Sequence, residues 1–162
     1  MNNLNYGVIG NCRTAALISQ NGNIEWLCFP DFDSPSIFAS MLDRGKGGDF
    51  GFEVSGDYRI TQNYVPHTNI LSTQFSSDEG EFVVLDYMPC YRSQDETGHY
   101  LPAELYRYIH WIKGKPRFKI NYHPAPNYAQ GQVILNITPQ YIESYCSFDN
   151  KDRQYLYASL SL

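Results

Sequence analysis

Basic charge is scarce in this sequence, and nowhere is it gathered. Twelve Lys and Arg stand against 17 Asp and Glu, for a net charge of −5. Phosphate recognition needs a basic patch, so no nucleic-acid partner is expected. No apolar run is long enough to cross a bilayer, and no membrane partner is expected. The amino terminus has no basic stretch followed by an apolar one. It is not laid out as a signal peptide, and the expectation is a cytoplasmic protein.

Metal and nucleophile motifs are missing as well. Cys12, Cys28, Cys90 and Cys146 form no CxxC pair, and His67, His99, His110 and His123 form no HxH or HxxxH pair. No metal site and no cofactor are therefore expected. Free thiols fit a reducing compartment. There is no GxSxG elbow. The glycine-rich "GKGGDFG" is not followed by the Lys-Ser/Thr of a phosphate loop.

What is present is apolar and aromatic. Hydrophobic residues make up 43% of the 162 positions and aromatics 15%, with 14 Tyr. That composition predicts a globular, strand-rich domain. "AALIS" and "IEWLCF" flank Asn21-Gly22, the strongest short hairpin signal. In the second of these strands, period-two alternation puts Ile24, Trp26 and Cys28 on one face. Four runs follow, "DFGFEVS", "YRITQNYV", "NILSTQFSS" and "EFVVLDYMP", spaced as a β-meander. A long polar loop is expected over residues 91–104. Five more strand candidates follow it, the first two joined as a hairpin by Lys113-Gly114-Lys115.

One helix is expected. Ser34 suits an N-cap, Pro35 suits N1, Ile37, Phe38, Met41 and Leu42 form a stripe, and Gly45 ends it. The predicted fold class is all-β, an antiparallel β-sandwich of the super-sandwich type with this one short helix.

Two kinds of chemistry deserve weighing. Glycosidases need two carboxyl groups flanking the scissile bond. Asp31 and Asp33 lie two apart in a loop after a strand, and Glu25 and Asp86 lie within strands. Capping, turn and surface roles are favoured for all four. Sugar stacking needs exposed aromatic faces. Trp26 shares its face with Ile24 and Cys28, which favours burial. Tyr106, Tyr108 and His110 alternate with Leu105, Arg107 and Ile109. "YRYIHW" is thus the better stacking candidate, against an ordinary cross-strand aromatic ladder.

The opening "YGVIGNCRTAALISQNGNIEWLCFPDFDSPSIFASMLD" resembles the start of glycoside hydrolase family 15, the glucoamylase-like and trehalase-like proteins of bacteria and archaea. Its fixed elements, "IG(D/N)", "TAAL", "WLC" and "FDSPS", are all here. "RITQNYVPHTNILSTQF", "EFVVLDYMP" and "LYRYIHWIKGKPRFKINYHPAPNYA" resemble further segments of that family, in order.

The resemblance implies an N-terminal β-sandwich that precedes an (α/α)6 barrel carrying two catalytic glutamates. Residues 1–162 correspond to the sandwich, truncated at its C-terminal end, and the barrel is absent. No catalytic residue can be placed. The expected role is non-catalytic support of the barrel of an α-glucoside hydrolase, and shaping of its active-site mouth. Trp26, Asp31, Phe32, Asp33, Tyr106 and Tyr108 are the barrel- or substrate-facing candidates. An α-glucoside or glucan is the ligand class considered. The alternative is an independent carbohydrate-binding module. A homo-oligomer through the edge of the last strand is the further partner considered.

Overall fold

The computed structural model describes residues 5–92, 98–147 and 149–159. Its elements are β1 (Tyr6–Gly10), β2 (Ala15–Ser19), β3 (Ile24–Cys28), β4 (Ser36–Phe38), β5 (Asp49–Val54), β6 (Arg59–Tyr64), β7 (Leu71–Ser76) and β8 (Gly80–Tyr87). Then come β9 (Tyr91–Arg92), β10 (His99–Tyr100), β11 (Tyr106–Gly114), β12 (Phe118–His123), β13 (Val133–Ile137), β14 (Ile142–Cys146) and β15 (Asp149–Leu156). No helix long and apolar enough to cross a membrane occurs among the described residues.

The strands form an all-β, antiparallel architecture. The first sheet has the order β1-β2-β3-β5-β12, with β4 on β3. The second has the order β11-β8-β7-β6, and a third holds β13-β14-β15. The first two sheets pack as a sandwich, which the core shows directly. Ile9, Ile18, Ile24, Leu27 and Phe38 of the first sheet enclose Leu71 of the second. Phe52 of the first packs on Phe75, Phe82 and Val84 of the second. Phe75 and Phe82 stack in parallel at 4.6 Å between centroids. Burying such rings contributes most of the favourable energy of a small β-domain.

The helix expected from Pro35 does not form. Among the described residues there is no helix, and Ser36–Phe38 pairs with β3 as a strand. Every residue from Ser36 to Ser40 is buried, so the segment has no polar face to offer solvent. Its donors are satisfied outward: Ala39 N donates to Gly47 O at 2.7 Å and Ser40 N to Gly48 O at 3.2 Å. A Cβ at Gly47 would lie 2.3 Å from the Ala39 backbone, so glycine is what permits this approach.

Strand alternation fails in β3 for a local reason. Leu17 pairs with Trp26 but Ile18 pairs with Ile24, which leaves Glu25 as a bulge residue. The bulge puts both Ile24 and Leu27 into the core and leaves Trp26 half-buried. The grouping of Trp26 with Ile24 is thereby corrected.

Two connections also differ from expectation. β5 belongs to the first sheet, so the meander is β6-β7-β8. Lys113–Lys115 closes no hairpin, because β11 pairs with β8 and β12 with β5. Gly114 has φ of 71° and Pro116 crowds Gly80, which turns the chain out of the second sheet and into the first. Of the loop over 91–104, the two arms pair as β9 and β10, and residues 93–97 lie outside the described residues. Of the last strand candidate, 153–162, the part up to Leu156 pairs within β15, residues 157–159 are no longer strand, and 160–162 lie outside the described residues.

Candidate functional site

At one end of the sandwich, three chain segments meet on the turn between β1 and β2. Asn11 is buried and uses its whole amide. Its Nδ2 donates to Pro89 O at 3.1 Å and Pro102 O at 2.8 Å. Its Oδ1 accepts from the backbone N–H of Arg13 and Thr14. The next-but-one residue reaches the other way. Arg13 Nε lies 2.6 Å from Asp31 Oδ1, and Nη1 donates to Leu101 O at 3.2 Å. Phe32 N donates to Arg13 O at 3.1 Å.

This answers what the acids of the "PDFDSPS" corner do. The Arg13 guanidinium holds the Asp31 carboxyl below its ordinary range, so it stays ionised. Ser34 Oγ accepts from Asp31 N at 3.1 Å, which locks a turn where a helix cap was expected. Phe32 is 62% exposed, and Asp33 is exposed. The corner is a rigid turn with one aromatic and one acid at its surface.

Trp26 stands elsewhere, against the loop after β12. Its ring meets Tyr128 at 6.3 Å and 48°. That loop carries three consecutive left-handed residues, Asn127, Tyr128 and Ala129, each with φ near 55°. Such a run costs roughly 1–2 kcal/mol per residue. It is held by Ala125 N to Ile37 O, Asn127 N to Ser36 O, and Tyr128 N to Ser36 Oγ.

Tyr106 and Tyr108 lie on the outer face of β11, as alternation predicts. Tyr106 stacks on Tyr87 at 5.3 Å and donates to Glu104 at 3.0 Å. Tyr108 is 56% exposed and stacks on His110 at 6.3 Å. So the structure joins Asp31, Phe32 and Asp33 in one turn, pairs Tyr108 with His110, and sets Trp26 against a different loop.

The other face of β11 carries a residue that pattern reading passed over. Arg107 Nε donates to Asp86 Oδ1 at 2.8 Å and Nη2 to Oδ2 at 3.2 Å. The guanidinium also donates to the carbonyls of Phe50 and Gly22. It lies 4.8 Å from the ring centroids of both Phe50 and Phe52. The available signal was an Arg on the same strand face as Leu105 and Ile109, and an Asp set within "FVVLDY".

Several described carboxylates are tied up in structural contacts. Glu25 accepts from Tyr6 Oη at 2.7 Å, and burial with this bond pushes the Tyr6 phenol up to about 12. Gln74 and Lys113 hold Glu81 down. Asn136, Arg153 and Tyr155 hold Glu143, pulled down to about 2. Burial pushes the Asp86 carboxyl up against the pull of Arg107, but both its oxygens are occupied and its side chain is sealed. A general acid needs a protonated carboxyl open to substrate, and none of these groups meets that requirement.

A family model described as trehalase-like, N-terminal, matches residues 5–149. The trehalase of Thermoplasma volcanium is 35% identical over 134 residues, covering 80% of this chain and 21% of that protein. Trehalase 1 of Sulfolobus acidocaldarius is 46% identical over 85 residues, 51% of this chain and 14% of that protein. The trehalase of Mycolicibacterium smegmatis is 41% identical over 85 residues, 50% of this chain and 12% of that protein. The chain thus spans about a fifth or less of the length of these relatives. No solved structure matches it significantly.

Proposed function

The chain belongs to the trehalase-like N-terminal family, and on that premise we propose that it is the non-catalytic sandwich domain of an α-glucoside hydrolase of the trehalase or glucoamylase type. In this reading residues 1–162 support an (α/α)6 catalytic barrel and shape the mouth of its active site. The corner with Asp31, Phe32 and Asp33, the Tyr106–Tyr108 face and Trp26 are the barrel- or substrate-facing groups. The setting is cytoplasmic, in keeping with four free cysteines. A second copy pairing along β15, an outer strand of the third sheet among the described residues, is the further partner in this reading.

One observation carries the reading. The chain matches only 21% of the Thermoplasma volcanium trehalase, so most of that enzyme lies outside the shared region. The structural use of Asp31, Glu81, Asp86 and Glu143 is consistent with chemistry housed there.

The test is co-purification. The part of the Thermoplasma volcanium trehalase outside the match is expressed with and without this chain. The proposal expects a soluble one-to-one complex when both are present. A catalytic part that stays soluble and never associates with the chain overturns it.

A further inference from the structure

Between the turn before β5, the loop after β12 and the start of β13 lies a pocket of about 420 Å³. That volume falls in the range of small-molecule sites, about 300–1,000 Å³. Its lining has two halves. Arg44 and Lys46 line it from the turn and are exposed. Pro124 and Ala125, both buried, and Ala129 and Val133, both half-buried, make the apolar half. We propose that this pocket binds a small organic carboxylate, with the charged head on Arg44 and Lys46 and the apolar body against the other four residues.

The positive charge is uncommitted. Neither Arg44 nor Lys46 forms an ion pair among the described residues, in a chain whose net charge is −5. The acid in the lining, Asp49, is turned to another group, with its Oδ1 3.5 Å from His123 Nδ1. A carboxylate is planar and matches the guanidinium fork, and the Lys46 ammonium adds a point charge.

Both walls are fixed before any ligand arrives. Gly45 N donates to Asp43 Oδ1 at 2.9 Å, and Gly47 N donates to Asp43 O at 2.7 Å, which sets the turn. Gly48 comes so close to β12 that a Cβ there would lie 2.2 Å from His123 O. In the loop, Ala125 N donates to Ile37 O at 2.9 Å, and Ala129 ends the left-handed run from Asn127. Strained backbone of that kind clusters at ligand clamps. Preformed walls lower the ordering cost of binding.

Competing ligands use one half only. A bare inorganic anion meets the cations but leaves the apolar half wet. A neutral ligand leaves both charges unmet. A metal cation meets two positive charges against the single Asp49 carboxylate. The inference goes beyond the catalytic-partner reading and does not rest on it.

The test titrates the full 162-residue chain with hexanoate, and in parallel with acetate, hexanol and inorganic phosphate. Amide chemical shifts of Gly45, Gly48, Ala129 and Gly131 are followed by NMR. Hexanoate should shift these four amides and bind about tenfold or more tighter than acetate, because its chain buries apolar surface. Hexanol and phosphate should each bind more weakly than hexanoate. The double variant Arg44→Gln/Lys46→Gln, at exposed positions, should keep its Tm and weaken hexanoate binding about tenfold or more. Lys115→Gln/Arg117→Gln, which removes the same charge at the other end of β12, should leave binding unchanged. Absence of hexanoate shifts at the four amides overturns the proposal. So does phosphate or hexanol binding as tightly as hexanoate, or equal weakening by the two double variants. None of these results bears on association with a catalytic part, which is read by co-purification.

Discussion

The guanidinium of Arg107 ties the two sheets together from a single anchor, the Asp86 carboxylate on the neighbouring strand. Their side chains are 5% and 0% exposed. Both residues lie in segments that resemble the family, "EFVVLDYMP" and "LYRYIHWIKG". Breaking a buried pair from one side leaves an uncompensated charge, at a cost of about 3–5 kcal/mol.

Arg107→Met should therefore destabilise the chain by about that amount near neutral pH. The pH sign follows from burial, which already pushes the Asp86 carboxyl up. Without Arg107 the upward shift grows, and the native state holds a proton that the unfolded state releases near pH ~4. Stability is then lost as pH rises above that value. Urea titrations from pH 4 upward should show a widening deficit against the parent chain. Adding Asp86→Leu should abolish the pH dependence of the deficit.

Asn11→Ala removes the donor to two carbonyls and the acceptor for two N–H groups. Each buried group left unpaired costs about 1–3 kcal/mol. A clear fall in Tm is expected. Hydrogen exchange should accelerate at Arg13 and Thr14, whose amide protons lose their acceptor, while the Phe75–Phe82 region keeps its protection.

Much of this was legible in the sequence. Asn21-Gly22 gave away the hairpin, and alternation in "LYRYIHWI" placed Tyr106 and Tyr108 outward. The helix from Pro35 does not form because Ile37 and Phe38 serve equally in a buried strand, while Met41 and Leu42 fall in the turn beyond it, and only tertiary packing decides between the two. Trp26 was misplaced because one bulge residue, Glu25, shifts the period, and a bulge leaves no fixed sequence mark.

Trp26→Ala should cost less than a core truncation, because the indole is half-buried on the outer side of the bulge. Phe75→Ala, in the stacked core, should cost about 3–5 kcal/mol. Thermal melts of the two variants should rank them in that order. Equal losses would return Trp26 to the core.

Acid should unfasten the third sheet. Glu143 is pulled from 4.5 down to about 2, first by Asn136 and then by Arg153. A depressed carboxyl stabilises the fold above its unfolded value, and that contribution is lost as pH falls from 4.5 toward about 2. Tm should decline through this window. Glu143→Gln should flatten the decline, as followed by near-ultraviolet circular dichroism of the tyrosines.

Glucose release from trehalose tests the central claim most directly. Three preparations are compared: the purified chain, the catalytic part of the Thermoplasma volcanium trehalase, and a chimera in which this chain replaces the segment that it matches. The account predicts no glucose from the chain alone and hydrolysis by the chimera. Glucose released by the chain alone, and abolished by Asp31→Asn/Asp33→Asn, would contradict it and place the reacting acids in the corner turn.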